Sequence, residues 1–148
     1  MGNASGNVAR MPVVPDELVA IAEDAATRSH SPYSSFPVGA AIRTTTGETF
    51  AGCNIENASY PEGWCAETSA IAQMVSILGP AARIAEIVTT APAGDDGTPG
   101  TPCGGCRQRI REFSTPDTVV HATAPGGAAL TMRIDELLPR SFGPDRLL

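Results

Sequence analysis

Thr101-Pro102-Cys103-Gly104-Gly105-Cys106-Arg107 is the stretch from which the rest of this chain can be ordered. Pro102 fixes its own φ and disfavours the helical region at Thr101. The two glycines let the backbone turn tightly between the sulfurs, so the segment reads as a loop tip entering a helix. Two thiols three positions apart can reach one metal ion. The same spacing serves a redox pair, half of a structural zinc site or part of a catalytic one, and the surrounding chain has to choose among them.

Working outward, residues 103–113 read as a helix interrupted by Ser114-Thr115-Pro116, and residues 84–90 are an apolar, β-branched run that reads as a strand, bounded by Ala91-Pro92 and followed by a flexible loop over 93–100. Residues 65–78 carry Ala66, Ala70, Ile71, Met74, Val75 and Leu78 on one broad apolar face, closed by Gly79-Pro80: a buried helix. Residues 16–30 show a helical stripe of Leu18, Val19, Ile21, Ala22, Ala25 and Ala26, opened by Pro15 and stopped by Ser31-Pro32. Residues 38–44 and 48–54 read as a strand pair across Thr45-Thr46-Gly47. Strands over 119–123 and, more weakly, 129–133 precede a short helix at 135–138. Five strands, paired early and then alternating with helices, predict an α/β fold: a three-layer α/β/α sandwich around a mixed five-stranded sheet.

Composition bounds the function. A chain of 148 residues, 42% hydrophobic, buries the core of one domain, expected over residues 16–148 behind a flexible N-terminal segment at 1–15. The net charge of −6 and a pI near 4.8 disfavour a polyanionic partner, because nucleic-acid affinity rests largely on Lys and Arg. A free small molecule is the expected partner, with no nucleic acid and no membrane. The N-terminus lacks the basic-then-apolar pattern of a secretory signal, and no run approaches the length of a membrane span. Gly6 stands where myristoylation after Met1-Gly2 would need Ser or Thr. Asn3-Ala4-Ser5 and Asn57-Ala58-Ser59 fit the glycosylation pattern but would not meet that machinery without export. A cytoplasmic chain keeps its four cysteines as thiols, which favours metal binding or catalysis over a disulfide framework.

Cys65 opens the 65–78 helix, with Glu67 two residues on, and Cys103 and Cys106 open the next helix. If both helices point their first turns at one spot, three thiolates meet at the positive ends of two helix dipoles. Three sulfurs leave one tetrahedral position open. A catalytic zinc has that coordination, its fourth ligand a water with pKa lowered to about 7. Glu67, displaced around the helix from Cys65, is placed to handle that water's proton instead of binding metal.

Cys65-Ala66-Glu67 with Pro102-Cys103-Gly104-Gly105-Cys106 resembles the zinc-dependent cytidine deaminase family. So do 31–41 (Ser-Pro-Tyr-Ser-Ser-Phe-Pro-Val-Gly-Ala-Ala), 53–60 (Cys-Asn-Ile-Glu-Asn-Ala-Ser-Tyr) and 136–144 (Glu-Leu-Leu-Pro-Arg-Ser-Phe-Gly-Pro), which are similar to segments of the small homotetrameric type. The resemblance implies hydrolytic deamination of cytidine and deoxycytidine in pyrimidine salvage, with one zinc per subunit held by Cys65, Cys103 and Cys106. It implies that Glu67 moves the proton of the attacking water to N3 and later helps protonate the departing ammonia. It implies nucleoside binding by Phe36, Asn54, Glu56 and Ala66, with Asn54 and Glu56 on the ribose hydroxyls and Phe36 on the base. Ala58, Ser59 and Tyr60 are implied to come from one neighbouring subunit and Phe142 from another. In many tetrameric relatives an arginine that offsets the thiolate charge stands where this chain has Thr68, and the helix N-termini with Arg107 are expected to share its work.

Two rival readings accompany this one. The first keeps the chemistry with a modified cytosine nucleoside or an antibiotic such as blasticidin S as substrate. The second is a non-catalytic structural zinc module, with Cys53, His30 or His121 supplying the fourth ligand. Cys53 itself reads as a buried thiol, and the two histidines as helix-end and strand residues. Trp64 has no assignment from the sequence.

Overall fold

The structure, a computed structural model, describes residues 10–148. Helix α1 (Asp16–Ala26) leads into strands β1 (Gly39–Thr44) and β2 (Thr49–Cys53), then α2 (Ala66–Leu78), β3 (Ile84–Thr90), α3 (Gly104–Glu112), β4 (Ser114–Thr123), β5 (Ala129–Arg133) and α4 (Ile134–Leu137). All five strands form one sheet in the order β2-β1-β3-β4-β5. β1 pairs antiparallel with β2 and β3, β3 pairs parallel with β4, and β4 pairs antiparallel with β5, so the sheet is mixed.

Alternation along β1 and β3 sorts the core into two layers. Ala40, Ile42 and Ile87 pack with Ala70, Met74, Ile110 and Leu137 of α2, α3 and α4, whereas Ala41 and Val88 meet Leu18 and Ala22 of α1 on the opposite face. A strand covered on both faces is apolar on both over much of its length, which is why 84–90 shows no strict alternation of apolar and polar residues. The expected three-layer sandwich is the observed one. Glycine sets how closely the helices approach: a Cβ at Gly39 would lie 1.9 Å from the Ala22 carbonyl oxygen, and one at Gly52 would lie 2.4 Å from the Ala70 nitrogen.

Two boundaries depart from expectation. α1 ends at Ala26, short of residue 30, because Arg28 and Ser29 turn back onto Ala25 and Ala26 and His30 joins another backbone. His30 N–H donates to Asn54 O at 3.1 Å and His30 O accepts from Glu56 N–H at 2.7 Å. Strand β4 begins at Ser114, five residues earlier than read, and carries Pro116 through a register shift opposite Ile84 and Glu86. An irregular stretch tolerates a proline that a regular ladder would not. The hairpin turns on Gly47 at φ 100°. Of the segment expected to be flexible, residues 10–15 carry no helix or strand; residues 1–9, with the Met1-Gly2 and Asn3-Ala4-Ser5 patterns, lie outside the described residues.

Candidate metal centre

β2 and β3 both run antiparallel to β1 and hence parallel to each other, so the chain leaves both at the same end of the sheet. α2 follows β2 and α3 follows β3, and both therefore start at that end, where α/β sheets place their sites. Cys65 is the N-cap of α2, Cys103 is the N-cap of α3, and Cys106 lies in the first turn of α3. Their three sulfurs lie within 4.8 Å of one another, with Cys65 and Cys103 4.0 Å apart. Among the described residues this is the one group of three or more such donors close enough to share an ion.

None of the alternative fourth ligands reaches it. Cys53 is half-buried and donates its S–H to Arg28 O at 3.6 Å. His30 is tied by its backbone to 54–56. His121 is fully buried in the sheet between Thr131 and Glu86.

Glu67, 5% exposed, stands beside the cluster, and its Oε2 accepts from the Cys106 S–H at 3.3 Å. Among the thiols themselves the Cys65 sulfur is the readily ionised one. Its pKa is drawn down to about 6, chiefly by a hydrogen bond from Cys106, against burial and the Glu67 charge. Cys106 is pushed up by that same hydrogen bond, then by burial and by Glu67. Three soft donors on one side and none from the protein on the other suit a thiophilic divalent ion with an open position, so the residues present fit zinc.

The charge around the sulfurs is arranged differently from expectation. Arg107 is not aimed at them: Nε donates to Pro102 O at 2.8 Å, one terminal nitrogen donates to Leu137 O at 2.9 Å and the other to Thr101 Oγ1 at 2.8 Å. It braces the ligand loop against the end of α4. Thr68 is buried and its hydroxyl has no partner among the described residues. Arg109, which the sequence reading passed over, folds back along α3, as helical side chains lean toward the N-terminus. A guanidinium nitrogen lies 2.9 Å from where a Cβ on Gly105 would be, and the arginine's charge helps lower the Cys65 pKa.

A cavity of about 360 Å³ opens from the cluster. Phe36, Asn54, Glu56, Cys65, Ala66, Glu67 and Cys103 all line it, brought together from four separated segments. Trp64, Thr89 and Thr101 line it too. Trp64 is placed there by backbone pairing with Ile55, which no local pattern announces.

Asn54 and Glu56 also hold the wall they belong to. Asn54 Oδ1 accepts from Val38 N–H at 2.8 Å and from the Ser29 hydroxyl, and its Nδ2 donates to Phe36 O at 2.9 Å. Glu56 accepts from Tyr33 N–H at 2.8 Å, Ser34 N–H at 3.3 Å and the Ser34 hydroxyl, bonds that lower its pKa, the Ser34 hydroxyl most. Ala58, Ser59, Tyr60 and Phe142 do not line this cavity. Ala58 and Ser59 are exposed, Tyr60 stacks obliquely on Tyr33 with ring centroids 5.8 Å apart, and Phe142 is 60% exposed with its carbonyl held by Gln108.

Fold and site thus define an α/β/α protein with a cluster of three cysteines able to hold a metal ion and a buried carboxylate at the N-termini of two helices. Residues 14–122 match the family model described as the cytidine and deoxycytidylate deaminase zinc-binding region, and the chain belongs to that family. It is 35% identical over 132 residues to a cytidine deaminase of Sporosarcina psychrophila, covering 89% of this chain and 93% of that one. It is 36% identical over 125 residues to the cytidine deaminase of Halalkalibacterium halodurans, covering 84% and 91%. Among solved structures, cytidine deaminase from Burkholderia pseudomallei superposes with a TM-score of 0.79 at 35% identity, covering 88% of this chain and all of that one. The Mycobacterium tuberculosis enzyme gives 0.73 at 32% identity, covering 89% and 99%.

Proposed function

We propose that this protein is a zinc-dependent hydrolase that converts cytidine and deoxycytidine to uridine and deoxyuridine with release of ammonia. The observation that carries the reading is the buried Glu67 carboxylate beside three converging sulfurs, at one end of a cavity of nucleoside size lined by Asn54 and Glu56.

Cys65, Cys103 and Cys106 would hold one zinc per chain. When bound, the ion supplies Lewis acidity that makes a water nucleophilic near neutral pH. Glu67 would take one proton from the attacking water and pass it to N3 of the pyrimidine, then take the proton of the hydroxyl now on C4 and give it to the 4-amino nitrogen as the C–N bond breaks and ammonia leaves. Burial keeps the carboxylate close to those atoms and away from bulk water. Phe36 packs on the base, Ala66 closes the pocket beside Glu67, and Asn54 and Glu56 receive the ribose hydroxyls with the hydrogen-bonding capacity left from bracing 33–38. A carboxylate has about four lone-pair directions, of which Glu56 uses three.

Residues 16–148 act as one catalytic domain, and four chains assemble with shared sites. The support is exposed apolar surface: Ile55 and Trp64, which line the cavity, are about half exposed, and Tyr60 is 75% and Phe142 60% exposed elsewhere on the chain. Ala58, Ser59 and Tyr60 of one neighbour and Phe142 of another complete the pocket. A place in pyrimidine salvage in the cytoplasm accords with ligand thiols that must stay reduced. No helix among the described residues is long and apolar enough to cross a membrane.

The test is ammonia release from cytidine, deoxycytidine, cytosine and blasticidin S by the purified protein and by Glu67→Gln, with light scattering for the assembly. Turnover of cytidine that disappears in Glu67→Gln supports the proposal. Turnover of blasticidin S alone reassigns the substrate. No turnover of any of the four, with zinc bound, leaves a structural zinc module.

A further inference from the structure

Trp64 is the one tryptophan of the chain and precedes Cys65, the N-cap of α2. It lines the cavity and is 47% exposed. An isolated antiparallel bridge fixes its backbone: Trp64 N–H donates to Ile55 O and Ile55 N–H to Trp64 O, each at 2.8 Å. With both main-chain polar groups spent on Ile55, the surface that Trp64 leaves open is chiefly its indole. Residues directly opposite in an antiparallel pair carry their side chains on one face. Ile55 is 48% exposed and lines the same cavity, so the bridge sets an aliphatic and an aromatic side chain next to each other in the wall.

That position lies between the two ends of the site. On one side the chain runs straight into Cys65 of the sulfur cluster, and across the bridge Ile55 is flanked by Asn54 and Glu56, both in the cavity wall. An occupant that reaches from the sulfurs to Asn54 and Glu56 passes the strip that Trp64 and Ile55 form. The chain itself offers the indole no ring: Tyr33 and Tyr60 pair with each other, and theirs is the one ring pair among the described residues. A half-exposed indole in a cavity wall gains from an occupant that displaces its water, and a planar base has a π face to offer it.

We propose that Trp64 is a substrate-binding residue whose indole packs against the bound nucleoside, a second aromatic surface in addition to Phe36. The inference rests on the proposed deaminase function and adds a residue to the same site. Because Trp64 is the chain's one tryptophan, its emission reports the contact with no competing signal.

The experiment uses the zinc-loaded Glu67→Gln protein as the parent, in which turnover does not interfere, with cytidine binding followed by calorimetry. Tryptophan emission, excited where cytidine does not absorb, is quenched with acrylamide before and after saturation with cytidine. Bound cytidine is expected to lower the quenching constant about twofold, because a stacked occupant covers one of the two faces of the ring. Trp64→Ala is expected to bind cytidine at least about fivefold more weakly, the low end for one base–aromatic contact, and Trp64→Phe within about threefold of the parent. Unchanged quenching at saturation overturns the inference. So does a Trp64 already shielded from acrylamide without nucleoside, which would mean that another part of the assembled protein covers it. Parent-like binding by Trp64→Ala with its zinc retained overturns it as well. If Trp64→Ala loses zinc or does not fold, the quenching measurement on the parent decides alone. Absence of ammonia release from the chain with Glu67 intact is a separate outcome and bears on the deaminase reading; failure of the Glu67→Gln protein itself to bind cytidine overturns both.

Discussion

The Cys106 sulfur lies 3.3 Å from Glu67 Oε2, so the thiol in the first turn of α3 meets the carboxylate carried by α2. Glu67→Gln keeps the size of the side chain and removes its basicity. We expect the variant to retain zinc and to lose at least ~100-fold in deamination rate, the lower range for a positioned acid–base group. Metal analysis alongside an ammonia assay checks it, and undiminished turnover would exclude the mechanism.

Arg107 makes three hydrogen bonds, to Pro102 O, Leu137 O and Thr101 Oγ1, and spans the ligand loop and α4. Arg107→Ala leaves those acceptors to find water. Hydrogen bonds from charged donors contribute about 1.5–3 kcal/mol each, so a loss of at least about 2 kcal/mol in unfolding free energy is expected, with faster zinc loss to a chelator. Arg107→Lys should recover only part of it, because an ammonium cannot reproduce the planar fork. Urea titration and chelator kinetics report the two effects separately.

Gly52 is where β2 passes under α2, and a methyl group there would meet Ala70 N at 2.4 Å and Ala66 O at 2.6 Å. Backbone has nowhere to yield. Gly52→Ala is expected to cost about 1–3 kcal/mol of stability and to weaken zinc retention, because the turn it displaces begins at Cys65. By contrast Gly104→Ala meets nothing within 4 Å and should behave as the parent protein in both assays.

His121 is buried between Thr131 Oγ1 at 2.9 Å and Glu86 Oε2 at 3.3 Å, and Glu86 is paired in turn with Arg43 at 3.2 Å. Burial pushes its pKa below the ordinary 6.5, and Glu86 opposes that only in part. Between the folded and unfolded values the unfolded chain binds more protons, so stability is present above 6.5 and is lost as pH falls through that value toward the lower folded one. Unfolding free energy should drop between pH 7.5 and 5.5. In His121→Gln the drop should shrink, and an unchanged pH dependence would refute the assignment.

Much of the fold could be read locally. The strand 84–90 and the helices opened by Cys65 and Cys103 fall within a residue of their observed bounds, because apolar periodicity, caps and Gly-Pro stops are properties of neighbouring residues. The spacing of Cys103 and Cys106, with Cys65-Ala66-Glu67 at another helix start, was enough to nominate the metal centre. What failed was set by distant partners. Residues 27–30 continue a helical pattern, yet His30 pairs with 54–56. Ser114-Thr115-Pro116 looks like an interruption, yet Ser114 pairs with Ile84 across a register shift.

The site divides along the same line. Residue types and spacing by themselves nominated Cys103 with Cys106 as a thiol pair and Cys65 with Glu67 as a thiol beside a carboxylate, because each pair lies within a few positions in the chain. Only the tertiary structure decided that Arg107 braces a loop while Arg109 lies over the first turn of α3, and that Asn54 and Glu56 also hold 33–38. Each of these depends on which strand lies beside which, and that is settled by the packing of the two core layers across the sheet.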